Sequence, residues 1–166
     1  MGAGGGAAPE ARLMMVGGEP AEIDTLKREY ERLGIAESVV FTGRVPRAEV
    51  PEYIAAAQVG LSPIPPIPLY WISSPTKLVE TMGMARPVVA NDIPEQRALL
   101  VASGGGRLVP YEEGAFAAAI LELFNNPEAA QRMGRAGYNL VQRERTYQAM
   151  AQRLEDLLRR LMQERH

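Results

Sequence analysis

The chain of 166 residues contains no cysteine and a single histidine, His166. Without cysteine there is no disulfide, thiolate nucleophile or Cys-ligated metal. One terminal histidine cannot supply a Ser-His-Asp triad or a multi-His metal site from this chain alone. Apolar runs fall short of the roughly 20 residues that a membrane span needs. The net charge of −2 gives no basic field for nucleic acid. We therefore expect a cytoplasmic protein with no integral membrane segment, metal site or nucleic-acid partner.

Short apolar runs alternate with segments of helical periodicity along most of the chain. The runs predict five buried strands, at residues 11–18, 38–43, 58–64, 86–92 and 106–110. This alternation is typical of an α/β, Rossmann-like three-layer fold with a mainly parallel sheet of about five strands. We expect a flexible Gly- and Ala-rich tail at residues 1–10 and one domain over residues 11–166, which ends in helices. The last helix should pack through an apolar face that runs from Tyr147 to Leu161.

One helix start, in the sequence SSPTKLVE, stands out among the predicted helices. Ser74 suits the N-cap position and Pro75 the first helical position. Lys77 then places a positive charge in the first turn, where the helix dipole disfavours a cation. A phosphate bound at the helix N-terminus would compensate the Lys77 charge. Glu80, three residues on, could accept hydrogen bonds from a ribose diol. The alternative is an exposed i, i+3 ion pair of the two side chains.

The segment SPTKLVETMGMARPVVANDIPEQRALL resembles the donor-nucleotide segment of the retaining glycosyltransferases of family 4 (group 1), which have the GT-B fold. The matching elements include Ser74, Pro75, Lys77, Leu78 and Glu80. The upstream runs LMMVGGEP and VVFTG and the downstream run GGGRLVP follow in the family's order, so the resemblance covers about residues 11–145.

The resemblance implies a nucleotide-sugar donor as substrate, with no cofactor. Glu80 matches the carboxylate that binds the donor ribose. The backbone from Thr76 to Leu78 would meet the diphosphate, and Lys77 is the predicted catalytic cation. Four further positions match the remainder of the donor site, namely Phe41 and Gly43 near the base and Gly17 and Gly18 at the first strand.

Several family features are replaced or have no counterpart in this sequence. Ile72 stands where the family's first motif glutamate contacts the sugar, and Ala85 stands where glycine is usual. If position 85 requires a positive φ, alanine costs about 1 kcal/mol there. The family's first central strand and its N-terminal acceptor domain are not matched. A separate acceptor domain or subunit is therefore the expected partner, and we expect this chain alone to be inactive.

Some alternatives remain open at this level. A noncatalytic nucleotide-binding or interaction module of the same fold is one, and a nucleotide-sugar epimerase is a weaker one. Tyr70 and Trp71 could stack on a ligand or cover the core. The proline-rich run before them favours a loop beside the cleft over an SH3-type ligand. In the doubly wound strand order the unmatched strand would stand between residues 11–17 and 58–64, and we expect these two segments to pair directly.

Overall fold

The structure is a computed structural model that describes residues 8–163. Residues 1–7 of the predicted tail and residues 164–166 of the predicted domain lie outside the described residues. The chain divides into two compact units with a boundary between Ala57 and Gln58. We describe the two units separately, and the single domain predicted over residues 11–166 stays a prediction.

The amino-terminal unit is built around two parallel strands. Its elements are β1 (Leu13–Val16), α1 (Pro20–Arg32), a 3₁₀ turn (Ala36–Ser38), β2 (Val39–Gly43) and α2 (Val50–Ala56). Leu13 pairs with Val39, and the register continues to Met15 before it shifts at Val16. Gly34 follows the end of α1 with a φ of 72°, as its sequence position predicts.

The carboxy-terminal unit contains a parallel sheet in the order β3-β4-β5. Its elements are β3 (Gly60–Ser62), α3 (Pro68–Trp71), α4 (Thr76–Gly83), β4 (Val88–Asn91), α5 (Pro94–Ser103), β5 (Gly106–Val109), α6 (Glu113–Asn125), α7 (Pro127–Glu144) and α8 (Tyr147–Gln163). The backbone N–H of Ala129 donates to Asn126 Oδ1 at 3.2 Å, so Asn126 caps α7.

Alternate residues of β4 face two apolar clusters, one on each side of the sheet. Val88 and Ala90 pack among residues of α4, α5 and α7, and Leu78 and Met82 of α4 are fully buried there. Val89 packs on the other side with Ala119 and Leu123 of α6 and Ala130 of α7. This sheet, with helices on both faces, confirms the predicted α/β class with parallel strands.

The predicted pairing of residues 11–17 with residues 58–64 is wrong. Within residues 8–163, β1 pairs with β2, β3 pairs with β4, and the five strands form two sheets. The physical reason is local: β2 and α1 contact each other within the first unit, and α4 contacts β3 within the second. β1 and β3 each pair instead with the strand that follows in the chain.

The turn after α4 contains the only positive φ found for a non-glycine residue in the described chain, at Ala85 with a φ of 54°. The N–H of Ala85 donates to Met82 O at 3.0 Å, and the N–H of Arg86 donates to Thr81 O at 3.2 Å. These two bonds form a Schellman motif, in which the position of Ala85 is usually glycine. A Cβ at Gly134 of α7 would lie 2.1 Å from Ala85 O, so α7 packs closely on this turn.

The apolar face of α8 does not pack as expected. Its side chains are about half exposed or more, from Tyr147 at 89% to Leu161 at 50%. None of the α8 residues that the structure describes is buried. The amphipathic pattern predicted the helix correctly, but not the burial of its face.

Candidate functional site

The start of α4 lies one residue later than the sequence predicted. Pro75 is the N-cap residue, with extended φ and ψ of −73° and 98°, and Thr76 is the first helical residue. The predicted N-cap role of Ser74 is wrong, because its exposed side chain makes no capping bond to the helix. The buried Pro75 supplies the first acceptor instead, since the N–H of Leu78 donates to Pro75 O at 3.1 Å.

The first two backbone amides of α4 are available to a ligand. In the described part of the chain the N–H groups of Thr76 and Lys77 have no hydrogen-bond acceptor, and both residues are exposed. The N–H of Leu78 is already engaged, so two of the three amides of the predicted Thr76–Leu78 turn are unpaired. Two free N–H groups at a helix N-terminus, next to an ammonium group, suit an anion.

Lys77 and Glu80 are both exposed, and they form no ion pair. Among residues 8–163 neither side chain has an oppositely charged partner within 4.0 Å. The surface i, i+3 pair that the spacing allows is therefore not formed. On the opposite side of the helix, the fully buried Leu78 and Met82 fix α4 in the unit. Apolar packing thus presents a cation and a carboxylate to solvent without using either of them.

Two buried side-chain amides, Asn91 at the end of β4 and Gln96 in α5, form hydrogen bonds that the sequence did not reveal. The Asn91 side chain pairs twice with the Ile64 backbone: Oδ1 accepts from the Ile64 N–H at 2.7 Å, and Nδ2 donates to Ile64 O at 2.8 Å. Gln96 Nε2 donates to Asn91 O at 2.8 Å and to Ser62 O at 3.3 Å. These bonds fix where the chain leaves β3 toward α3 and α4. Asn91 ends a buried strand in the sequence, but nothing there indicated that its partner would be Ile64.

The predicted glycines of the amino-terminal unit meet at the carboxyl ends of its two strands. The N–H of Gly17 donates to Gly43 O at 3.0 Å, and the φ values of these glycines are 97° and 66°. A side chain would be strained at both positions although neither is crowded. Gly18, with a φ of 98°, follows directly, and Arg44 forms an ion pair with Glu19 at 3.1 Å beside them.

Phe41 of β2 packs against two side chains of α1. Its ring centroid lies 5.9 Å from that of Tyr30, and Lys27 Nζ lies 5.9 Å from the Phe41 ring centroid. Together these three side chains line a cavity of about 280 Å³, which also reaches Glu37 before β2. The geometry gives Phe41 a packing role. Its predicted position near a base stays a prediction.

The segment between β3 and α4 is largely exposed. Trp71 is 52% exposed and Ile72 is 91% exposed, so Trp71 does not cover the core. Asp92, at the end of β4, is engaged by Arg97 of α5. No group of three or more metal-ligating side chains occurs among the residues that the structure describes. No helix of residues 8–163 is long and apolar enough to cross a membrane, and the predicted cytoplasmic location stays a prediction.

The parallel sheets with flanking helices have the Rossmann-like fold of GT-B glycosyltransferase domains. Sucrose-phosphate synthase from Thermosynechococcus elongatus aligns with a TM-score of 0.78 and 24% identity over 92% of this chain and 39% of that one. Anabaena HepE in complex with UDP-glucose aligns with a TM-score of 0.74 and 23% identity over 90% of this chain and 41% of that one. At these identities the likeness concerns the fold.

The sequence comparison gives the family. The model described as glycosyl transferases group 1 matches residues 6–126, and the chain belongs to this family. A GDP-mannose-dependent alpha-(1-6)-phosphatidylinositol monomannoside mannosyltransferase from Mycolicibacterium smegmatis is 44% identical over 55 residues, which are 33% of this chain and 14% of that protein. The chain thus spans about two fifths of the compared structures' length and a smaller share of this relative.

Proposed function

We propose that this chain is the donor-binding half of a retaining, family 4 glycosyltransferase that transfers a hexosyl unit from a nucleotide sugar. The observation that carries the proposal is the start of α4, where two unpaired N–H groups, an unpaired Lys77 and an unpaired Glu80 are exposed together. Diphosphate oxygens suit the amides and the ammonium group, and a ribose diol suits the carboxylate. The HepE structure contains UDP-glucose, which supports a nucleotide-sugar ligand for this fold.

In this proposal the chemistry of the chain is electrostatic. When the bond between the sugar and the diphosphate breaks, negative charge develops on the departing oxygen. The two helix amides and Lys77 would stabilise that charge more strongly in the transition state than in the bound donor. No cofactor or metal is required by this arrangement, so a chelator should leave nucleotide affinity unchanged.

Calorimetric titration with UDP, GDP and ADP, each with and without a sugar, tests donor binding. We expect Glu80→Gln to weaken binding of the preferred nucleotide by about 1–2 kcal/mol, because a charge-assisted hydrogen bond is lost. Glu113→Gln is the matched control, since Glu113 is an exposed glutamate in the first turn of α6 that forms no ion pair within residues 8–163. Equal affinity of the two variants, both folded, would exclude the ribose role of Glu80.

The same titrations test the phosphate role of Lys77. Lys77→Ala should weaken binding of nucleoside diphosphates and have little effect on the nucleoside itself. Arg135→Ala is the control, because Arg135 is an exposed cation of α7 without an ion pair among residues 8–163. An equal loss for nucleoside and nucleoside diphosphate would contradict a phosphate contact.

We expect no sugar transfer by the 166-residue chain alone. The chain spans about two fifths of the compared glycosyltransferase structures, and we infer that a separate domain or subunit holds the acceptor. Without it, the gains from proximity and water exclusion are lost. Turnover of a nucleotide sugar by the purified chain, above the rate in a protein-free blank, would refute this expectation.

A noncatalytic nucleotide-binding module is the second candidate, and the identity of residue 72 favours it. Ile72 is 91% exposed, and it offers no hydrogen bond to a sugar at the position where the resembled motif has glutamate. Equal affinities for the free nucleoside diphosphate and its sugar ester would support the module. A clear preference for one sugar ester would support the donor half of a transferase.

A further inference from the structure

Residues 63–73, which join β3 to α4 and include α3, have little apolar packing to hold them in place. None of these residues is buried. Leu69 is 68% exposed and Ile72 is 91% exposed. Because the segment has few buried contacts, its position depends mainly on its hydrogen bonds. We call residues 63–73 the α3 segment.

Two hydrogen bonds join the α3 segment to the remainder of residues 8–163, and both go to Asn91. The Ile64 N–H donates to Asn91 Oδ1 at 2.7 Å, and Asn91 Nδ2 donates to Ile64 O at 2.8 Å. The other hydrogen bonds of the α3 segment lie within it and end at the carbonyls of Pro65, Ile67 and Tyr70. The Asn91 side chain therefore determines where the α3 segment begins.

Asn91 is itself firmly fixed. It is fully buried at the end of β4, where it is in register with Val109 of β5. The Gln96 side chain is also fully buried, and its Nε2 donates to Asn91 O at 2.8 Å. Loss of either bond to Ile64 would leave a buried polar atom of Asn91 without a partner, which is unfavourable. The connection from Asn91 to Ile64 is therefore rigid.

The α3 segment is stiff enough to carry this position as far as Ile72. Its first half contains three residues with a restricted φ, namely Pro65, Pro66 and Pro68. Its second half is closed by the N–H groups of Ile72 and Ser73, which both donate to Tyr70 O. Restricted dihedral angles and local hydrogen bonds thus connect Ile64 to the residues directly before α4.

The proposed function gives the α3 segment a place beside the donor. In that proposal Glu80 binds the ribose, and the amides of Thr76 and Lys77 bind the diphosphate. A nucleotide sugar continues from the ribose through the diphosphate to the sugar. Along α4 this direction runs from Glu80 toward the start of the helix. The residues before Thr76 are therefore the ones that would meet the sugar.

We propose that Asn91 is a positioning residue for the donor sugar. This inference rests on the proposed function. Through Ile64, Asn91 holds the α3 segment beside the sugar end of the donor, so it contributes to the preference for the sugar ester over the free nucleotide. Affinity for the nucleotide itself should not depend on Asn91, because the fully buried Leu78 and Met82 hold α4 in the unit.

Amide hydrogen exchange of the parent chain tests the Asn91 contact without any substitution. We expect the Ile64 amide to exchange at least about tenfold more slowly than the amides of Ile67 and Tyr70. The reason is that its acceptor is a fully buried side chain, whereas the other two acceptors belong to the exposed Pro65 and Ile67. Equal exchange of the three amides would show that Asn91 does not hold the segment.

Two variants of Asn91 and one control test its effect on the α3 segment. Asn91→Ala removes both bonds, and Asn91→Asp keeps the size of the side chain but loses the amide donor. Val89→Ala is the control, because Val89 is a fully buried residue of the same strand that packs toward α6. All three should lower the midpoint of urea unfolding. Only the Asn91 variants should lower the fluorescence anisotropy of Trp71, the single tryptophan of the chain.

Calorimetric titration then measures the effect on the ligand. Binding of UDP-glucose, GDP-mannose and ADP-glucose is compared with binding of UDP, GDP and ADP. For the preferred nucleotide, Asn91→Ala should lower the ratio of the two affinities about tenfold, since the sugar loses a positioned contact. The affinity for the free nucleotide should stay unchanged, and Val89→Ala should change neither affinity. If Asn91→Ala does not fold, Asn91→Asp serves for the same comparison.

The outcomes separate this inference from the proposed function. Unchanged Trp71 anisotropy in the Asn91 variants would overturn the inference, because the segment would then be held by something else. An equal loss of affinity for sugar ester and free nucleotide would overturn it too, since that result indicates general structural support. A parent chain that binds both ligands equally would refute the transferase role and the sugar role of Asn91 together, and the parent titration shows this before any variant is made.

Discussion

Ala85→Gly is expected to stabilise the protein, and the turn after α4 allows its size to be worked out. Ala85 occupies the left-handed region with a φ of 54°. A Cβ in that region costs about 1–2 kcal/mol relative to glycine. Glycine also increases the entropy of the unfolded chain, which offsets about 0.4–1 kcal/mol of the gain. Ala85 is exposed, so no packing is lost, and the free energy of unfolding should rise by about 0.5–1 kcal/mol.

Ala98→Gly is the matched control for this substitution. Ala98 is also an exposed alanine of the carboxy-terminal unit, but it lies inside α5. There glycine lowers stability by about 1 kcal/mol, because the helical conformation needs no relief. The same chemical change should therefore have opposite signs at the two positions.

Urea unfolding measures both variants. Trp71 fluorescence reports on the carboxy-terminal unit, and far-ultraviolet circular dichroism reports on the whole chain. Comparing the two probes is necessary, because a chain with two compact units can unfold in more than one step. If Ala85→Gly lowered the midpoint as much as Ala98→Gly, the assignment of strain to Ala85 would be wrong.

Two further predictions concern packing and charge in the carboxy-terminal unit. Gly106→Ala should severely destabilise the carboxy-terminal unit, because a Cβ there would lie 1.9 Å from Val88 O. Gly114→Ala in α6 has open space and should stabilise the unit by up to about 1 kcal/mol. Urea unfolding of both variants checks these opposite effects. The hydrogen bond from the Arg107 guanidinium lowers the pKa of the Glu122 carboxyl in the folded protein. Above the pKa that Glu122 has in the unfolded chain, the ionised carboxylate therefore stabilises the folded state. This stabilisation is lost as the pH falls through the pKa of the folded state. Glu122→Gln should therefore flatten the fall of stability in acid solution, and an unchanged pH profile would exclude this contribution.

Much of the fold could be predicted because its signals are local. Continuous apolar runs predicted the strands that became β2 and β4 within two residues at each end. Asn126 and Gly34 marked helix ends through cap chemistry that depends on neighbouring residues only. For Ala85 the sequence predicts only a conditional cost, which applies if the position requires a positive φ, and the structure meets that condition with a φ of 54°.

The errors arose where the outcome depended on distant residues. Pairing of residues 11–17 with residues 58–64 is a contact that no local pattern specifies, and the structure has two separate sheets instead. Likewise, an amphipathic pattern predicts α8 but not which surface covers its apolar face. At the site, Lys77 and Glu80 were found by type and spacing. The bonds of Asn91 and Gln96 were missed, because a buried amide pairs with whatever backbone the fold brings to it.

The packing of α4 bears on how the two candidate functions are to be separated. Leu78 and Met82 are fully buried within the carboxy-terminal unit, so the exposure of Lys77 and Glu80 depends on contacts inside that unit. Nucleotide affinity at the start of α4 should therefore survive in this chain whether or not an acceptor domain is present.

Binding alone cannot distinguish a transferase half from a binding module. The distinction rests on the sugar, because only a transferase half needs to favour the sugar ester over the free nucleotide. The affinities of the Glu80→Gln variant for the sugar ester and for the free nucleotide should then be compared. Loss of the ribose contact would weaken both ligands, since both proposed functions use it. A remaining preference for the sugar ester would report the sugar contact, which only the transferase half requires.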